Sequence, residues 1–229
     1  MTVIALQRVR LRFRREGVAS AQSHLQQIET IRRALEKSGW PLSKTEGKRP
    51  KLKVSFGPAI SVGYESEAEY CDVELMSRLN IPTAHESLQP HLTEGFSLMS
   101  VKSIPRFFPS LDQTLNAASY EIVSPLLAGS KPKWDDFSKQ ERFMVTKKKE
   151  SGDVVVDARP CVRAWSLEND RLLLDIRFGP GRTLKPERIM QAVLGLDDLQ
   201  VEMGTANPSL KVKRLKLNFE KDNGEIVEP

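Results

Sequence analysis

The chain has 229 residues, room for two domains of about 100 each. Apolar residues make up 39% and charged residues 28%, a globular balance. The net charge is +5, no run approaches the roughly 18 apolar residues of a membrane span, and the apolar start Met1 to Leu6 carries its arginines after it, the reverse of a signal peptide; a cytoplasmic protein is expected.

The first strand is legible in Val9-Arg10-Leu11-Arg12-Phe13-Arg14, where apolar residues and arginines alternate with period two. Val9, Leu11 and Phe13 should face a core, and Arg8, Arg10, Arg12 and Arg14 the opposite side. Gly17 marks a turn. Ser23-His24-Leu25-Gln26 has capping-box spacing, and Leu25, Ile28, Ile31 and Leu35 then recur at helical intervals until Gly39 and Pro41. Ser43 to Lys53, rich in Gly, Pro and Lys, reads as a loop. Strands are expected at Leu52–Phe56, Tyr70–Leu75 and Phe96–Ile104, with a short helix over Thr83–Leu92. Pro105 to Pro109 looks like a linker. The second half repeats the order: a strand at Ser119–Ser124, a helix or irregular arm at Lys133–Gln140, and strands at Phe143–Lys147, Val154–Trp165 and Leu172–Phe178. A helix follows from Pro186 to Leu194. The last strand is Lys211–Phe219, with Leu215, Leu217 and Phe219 toward the core.

The order β-α-β-β-α-β, approximated again in the second half with an extra strand in its middle, predicts an α+β protein of tandem ferredoxin-like halves with antiparallel sheets. The halves are 1–104 and 119–229, joined by a linker at 105–118. In this topology the first and third strands are neighbours, so the arginine row would lie beside Asp72 and Glu74. Cross-strand ion pairs are one expectation for it, and an open basic face is the other.

Charge is uneven along the chain. Residues 1–53 hold 13 Lys and Arg against 4 Asp and Glu, whereas 54–100 hold 1 against 7. The basic quarter suits an anionic partner, or else the two quarters neutralise each other. The candidate nucleic-acid contacts are Arg8, Arg10, Arg12, Arg14, Arg32, Lys48, Arg49 and Lys51. His24, in the first turn of a helix beside a basic strand, is the one candidate for proton transfer or a phosphate contact. The six-residue spacing of His85 and His91 does not place them on one helical face. Glu65, Glu67 and Glu69 read as a solvated strand edge, and Lys147-Lys148-Lys149 as a hairpin tip. Asp157 and Arg159, two apart, should share a strand face, in an ion pair or a contact to the first half. Cys71 and Cys161 sit in apolar runs; two thiols build neither a four-thiolate zinc site nor a three-cysteine iron–sulfur site. No cofactor or metal is expected.

Longer stretches carry a resemblance. They include Arg12-Phe13, Gly17, Ser23-His24-Leu25, Arg32-Arg33-Ala34-Leu35, Pro41-Leu42-Ser43, Pro50-Lys51 and Val54-Ser55-Phe56-Gly57-Pro58-Ala59. The run from Val62 to Tyr70, then Val156-Asp157-Ala158-Arg159-Pro160 and Leu184-Lys185-Pro186-Glu187, extend it. The set resembles the radical-SAM-linked family of unknown function, whose members occur fused behind a radical S-adenosylmethionine (SAM) protein or as separate chains. This chain departs from the pattern at Gln26, where the family usually has an acid, and at Lys48-Arg49, where it has an aromatic residue and Asn. The resemblance implies a separately encoded radical SAM partner, and with the basic quarter it leads to an accessory, RNA-binding module. The alternatives are a metal-independent endoribonuclease using His24 and a pure protein–protein adaptor.

Overall fold

Alternation of apolar residues with arginines sets the centre of the first sheet. The structure, a computed structural model, describes residues 6–147, 152–179, 183–197 and 209–229. The chain divides into two units, Met1–Leu115 and Asn116–Pro229. It is a mixed α+β protein with antiparallel strand pairing, as expected.

In the first unit, β1 (Gln7–Arg15) pairs with β3 (Glu65–Leu75) on one side and β4 (Phe96–Ile104) on the other. A short β2 (Val54–Phe56) adds to β3, so the order is β4-β1-β3-β2 with every pair antiparallel. Val9, Leu11 and Phe13 are fully buried with Cys71, Val73, Leu75 and Leu98, under Ile31, Ala34 and Leu35 of α1 (His24–Lys37) and Ala84 and Leu88 of α2 (Ile81–Leu88). Each buried Val, Leu, Ile or Phe among them contributes about 1.5–3 kcal/mol of burial. Burial also pushes the Cys71 thiol well above its usual range, with neighbouring Asp72 adding to the effect.

The first helix starts where its capping box places it. The Ser23 N–H donates to Gln26 Oε1 at 2.8 Å and the Gln26 N–H to Ser23 Oγ at 3.3 Å. Gln26 therefore fills a capping role, which an acid would fill equally. Its apolar stripe is rotated from the expected one. Leu25 is 76% exposed, while Gln27 is 2% exposed, because Gln27 turns inward to serve Arg15 and Glu69. The stretch 105–118, expected to be a linker, holds α3 (Leu111–Thr114), buries Leu111 and Leu115, and ends in the first residues of the next strand.

The second unit repeats the strand order. Here β5 (Ala117–Val123) lies between β10 (Lys211–Glu220) and β9 (Arg171–Arg177), and β9 pairs with β8 (Val162–Glu168). A hairpin of β6 (Met144–Lys147) and β7 (Val154–Asp157) is inserted after α4 (Lys131–Lys139), and β11 (Ile226–Val227) pairs with β10. The helix α5 (Pro186–Leu194) begins at its proline and ends at Gly195, whose φ of 68° is the left-handed conformation glycine tolerates best.

Two strand expectations need correction. The single strand over Val154–Trp165 is two, because residues 158–161 turn. Asp157 Oδ1 caps that turn, accepting the Arg159 and Phe143 N–H groups at 3.0 Å each. The expected Asp157–Arg159 ion pair is thus replaced, and the Arg159 guanidinium lies 4.8 Å from the Phe137 ring centroid. In β10, a register shift between Arg214 and Lys216 moves Phe219 to 36% exposure, while Leu217 stays buried.

Candidate nucleic-acid interface

Period two places the arginine row on the face of β1 away from α1. Arg10 stands opposite Asp72, and Arg8 opposite Glu74. Arg10 grips Asp72 with two bonds, Nε to Oδ1 at 2.7 Å and one terminal nitrogen to Oδ2 at 2.8 Å, and is only 4% exposed. Arg8 reaches the same Oδ2 at 2.7 Å and donates to the Phe108 carbonyl oxygen. The Phe108 ring lies 6.0 Å from the Arg10 guanidinium carbon. Arg12 Nε donates to the Glu67 carbonyl at 2.7 Å. Arg14 stands opposite Ser97 and is half-buried. Arg8 and Arg10 thus form the ion-pair arrangement with Asp72, and Arg12 is engaged with a backbone carbonyl of the same unit. Lys53 makes the pairing with Glu74, at 3.7 Å.

The hairpin-like excursion from Ser43 to Lys53 differs from the row. Lys44 and Leu52 form an isolated bridge, Thr45 N–H donates to the Lys51 carbonyl at 2.8 Å, and Lys51 N–H to Thr45 Oγ1 at 2.9 Å. Gly47, with φ of 118°, makes the tip. Lys44, Lys48, Arg49 and Lys51 are all exposed, with Glu46 the one acid among them. This closed, projecting loop gathers cations that face water. Arg32 sits apart on α1, with its guanidinium carbon 5.7 Å from the Phe56 ring centroid.

His24 is the first helical residue of α1 and half-buried. His85 Nε2 lies 2.9 Å from the Leu98 carbonyl and His91 is exposed in the turn after α2. Among the described residues, no group of three or more His, Cys, Asp or Glu is placed to hold a metal ion. Glu65 accepts the Gly17 N–H at 3.3 Å, and Glu69, read as part of a solvated edge, is only 3% exposed. Lys148 and Lys149 lie outside the described residues.

Sequence reasoning missed Arg15. It is fully buried, donating to Gln27 Oε1 at 2.7 Å and to the Ser20 and Gln22 carbonyls at 2.6 and 2.7 Å, and Gln27 passes a bond to Glu69 at 2.7 Å. The register shift after Phe13 brings Arg15 under α1. The apolar stripe expected from the sequence, Leu25, Ile28, Ile31 and Leu35, leaves Gln27 out, so no sequence signal marked Arg15.

A second charged cluster closes one end of the second unit's sheet. Arg177 binds Glu220 through two bonds of 2.6 and 2.8 Å, and Arg163 adds a third at 3.2 Å. These contacts, that of Arg177 foremost, hold the Glu220 carboxyl below its ordinary value of 4.5. A carboxyl depressed in the folded state contributes stability fully above the unfolded value near 4.5, and the contribution fades as pH falls through the folded value. Glu220→Gln is therefore expected to be less stable than wild type at pH 7, with the gap narrowing toward pH 3. Unfolding free energies across that range check this; a constant gap would show that Glu220 acts by packing alone.

Residues 8–186 match the family described as an uncharacterized protein conserved in bacteria (DUF2344). The chain belongs to that family. The match begins at Arg8, spans the arginine row and the basic loop, and ends at Pro186, the first residue of α5. No curated protein matches the chain. Among the described residues, no helix is long and apolar enough to cross a membrane.

Proposed function

We propose that this chain is an accessory, RNA-binding module that works in the cytoplasm with a separately encoded radical SAM enzyme. Its halves are read as ferredoxin-like, because the strand order β4-β1-β3-β2 recurs as β10-β5-β9-β8, the order such sheets follow. The observation that carries the RNA reading is the exposed basic hairpin. Lys44, Lys48, Arg49 and Lys51 project around one acid, without a carboxylate such as Asp72, which occupies Arg8 and Arg10 of β1. Phosphate neutralisation by such cations supplies sequence-independent affinity. The paired row of Arg8, Arg10 and Arg12 is the scaffold in this reading rather than the contact. The radical SAM partner rests on the resemblance of the chain's motifs.

Replacing Lys48, Arg49 and Lys51 together with Gln is expected to weaken binding to single-stranded RNA about tenfold near 0.1 M salt. It should also flatten the log–log salt slope by roughly 2, since each phosphate neutralised accounts for about 0.7 of that slope. All three residues are exposed, so the melting curve should not move. Equal affinity and equal slope in the variant would remove the hairpin from the interface. RNA ends produced by wild type and absent with His24→Ala would replace the module with a nuclease. Mass spectrometry of proteins co-purifying from native cells tests the partner, and absence of a radical SAM protein above an untagged control counts against it.

A further inference from the structure

We propose that the first unit holds a phosphoryl-binding pocket at the end of the β1–β4 pair, built from Arg78, Arg106 and Ser103 on a base of Gln7 and Arg8. An open cavity of about 370 Å³ lies there, with Leu6 and Ile104 as its apolar wall. Among the described residues, three arginines line it and no carboxylate does.

The arginines have different duties. Arg8 is fixed by Asp72 and the Phe108 carbonyl, so it is a rigid wall rather than a mobile ligand. Asp72 is shared between Arg8 and Arg10, so its single negative charge leaves a surplus positive charge beside the cavity. Arg78 and Arg106 are exposed, and neither has an acidic partner among the described residues. They come from different segments, the turn before α2 and the chain just after β4.

The neutral groups complete a surface of donors. Gln7 Oε1 accepts the Leu79 N–H at 2.7 Å, which fixes the amide so that its NH₂ donates to Ser103 Oγ at 3.3 Å. The Ser103 hydroxyl then accepts from Gln7 and keeps its own hydrogen for a ligand. Guanidinium groups and a hydroxyl converging from separate segments, with no competing acceptor side chain, match a tetrahedral anion with several acceptor oxygens. A phosphate monoester or free phosphate has that chemistry. The pocket shares no residue with the basic hairpin and does not depend on the RNA reading.

The test is calorimetric titration of inorganic phosphate into the full chain at constant ionic strength. Saturable binding is expected, weakened at least about tenfold by Arg78→Gln with Arg106→Gln, the loss of charge-assisted bonds. Ser103→Ala keeps every charge and should still weaken it by about threefold or more, which separates a shaped site from general attraction. Both variants should melt with wild type in phosphate-free buffer. No saturable binding, an unchanged affinity in the double arginine variant, or an equal response to chloride would each overturn the pocket.

Short RNAs with a 5′-phosphate or a 5′-hydroxyl, compared in the hairpin variant, identify the source of the phosphoryl group. Preference for the phosphorylated end assigns the pocket to a polymer terminus. Equal RNA binding with phosphate binding retained assigns it to free phosphate or a small ester. Hairpin substitutions that leave RNA affinity unchanged would remove the hairpin interface and leave the phosphate result standing.

Discussion

Asp72→Ala is expected to cost about 3–5 kcal/mol of folding stability, the range for breaking a buried pair by removing one partner. The carboxylate is 2% exposed and its main partner Arg10 is 4% exposed. Three charge-assisted bonds of 2.7 to 2.8 Å disappear together. Arg10 is then left as a charge without water and without its carboxylate, and that orphaned charge dominates the loss rather than the worth of the pair itself. The double variant Asp72→Ala with Arg10→Met should therefore recover a large part of the stability, since it removes the orphan. Urea unfolding of the four proteins in this cycle measures the effect. A loss below about 1 kcal/mol for the single variant, or no recovery in the double, would mean that the row relaxes to water when freed.

In the second unit, Trp134→Ala should cost about 3–5 kcal/mol. Trp134 is fully buried on α4. Its ring centroid is 5.8 Å from Phe137, edge to face at 74°, and 5.5 Å from Trp165. Phe137 carries the chain on to Phe143 at 5.0 Å. Trp134→Phe should cost much less, about 1 kcal/mol. Among the described residues the buried Trp134 Nε1 has no hydrogen-bond partner, so phenylalanine deletes a polar group without breaking a bond. Urea unfolding of both variants, with near-ultraviolet circular dichroism for the aromatic cluster, checks the pair. Equal losses for Ala and Phe would show that a phenyl ring cannot replace the indole in this cluster.

Where a single local rule decides, the sequence was legible. The alternation in β1 placed Val9, Leu11 and Phe13 in the core, and Pro186 and Leu194 bounded α5. The pairing of β1 with β3 followed from the order of elements, and it brought Arg10 opposite Asp72. Features set by tertiary register were not legible. The shift beyond Phe13 buries Arg15, and the one after Arg214 exposes Phe219; neither leaves a mark in a period-two pattern. The inward turn of Gln27 depends on Arg15 and Glu69, which are distant in sequence. For the proposed interface, composition pointed to one quarter of the chain but could not divide it. Arg10 and Lys48 look alike in a charge count, and only the fold separates the paired cation from the exposed one. Arg78 and Arg106 escaped notice because each is a lone arginine in its own segment.

The central place of β1 has a consequence during synthesis. Its partners come late: Arg10 meets Asp72 across 62 residues, and Arg8 meets Phe108 across 100. At about 5–20 residues per second, the nascent strand waits roughly 3–12 s for β3 alone. Throughout that interval Val9, Leu11 and Phe13 are a bare β-prone segment, the kind that joins other chains edge to edge. The interleaved arginines act in that period as gatekeepers, keeping the strand soluble by charge before Asp72 arrives to pair with Arg8 and Arg10.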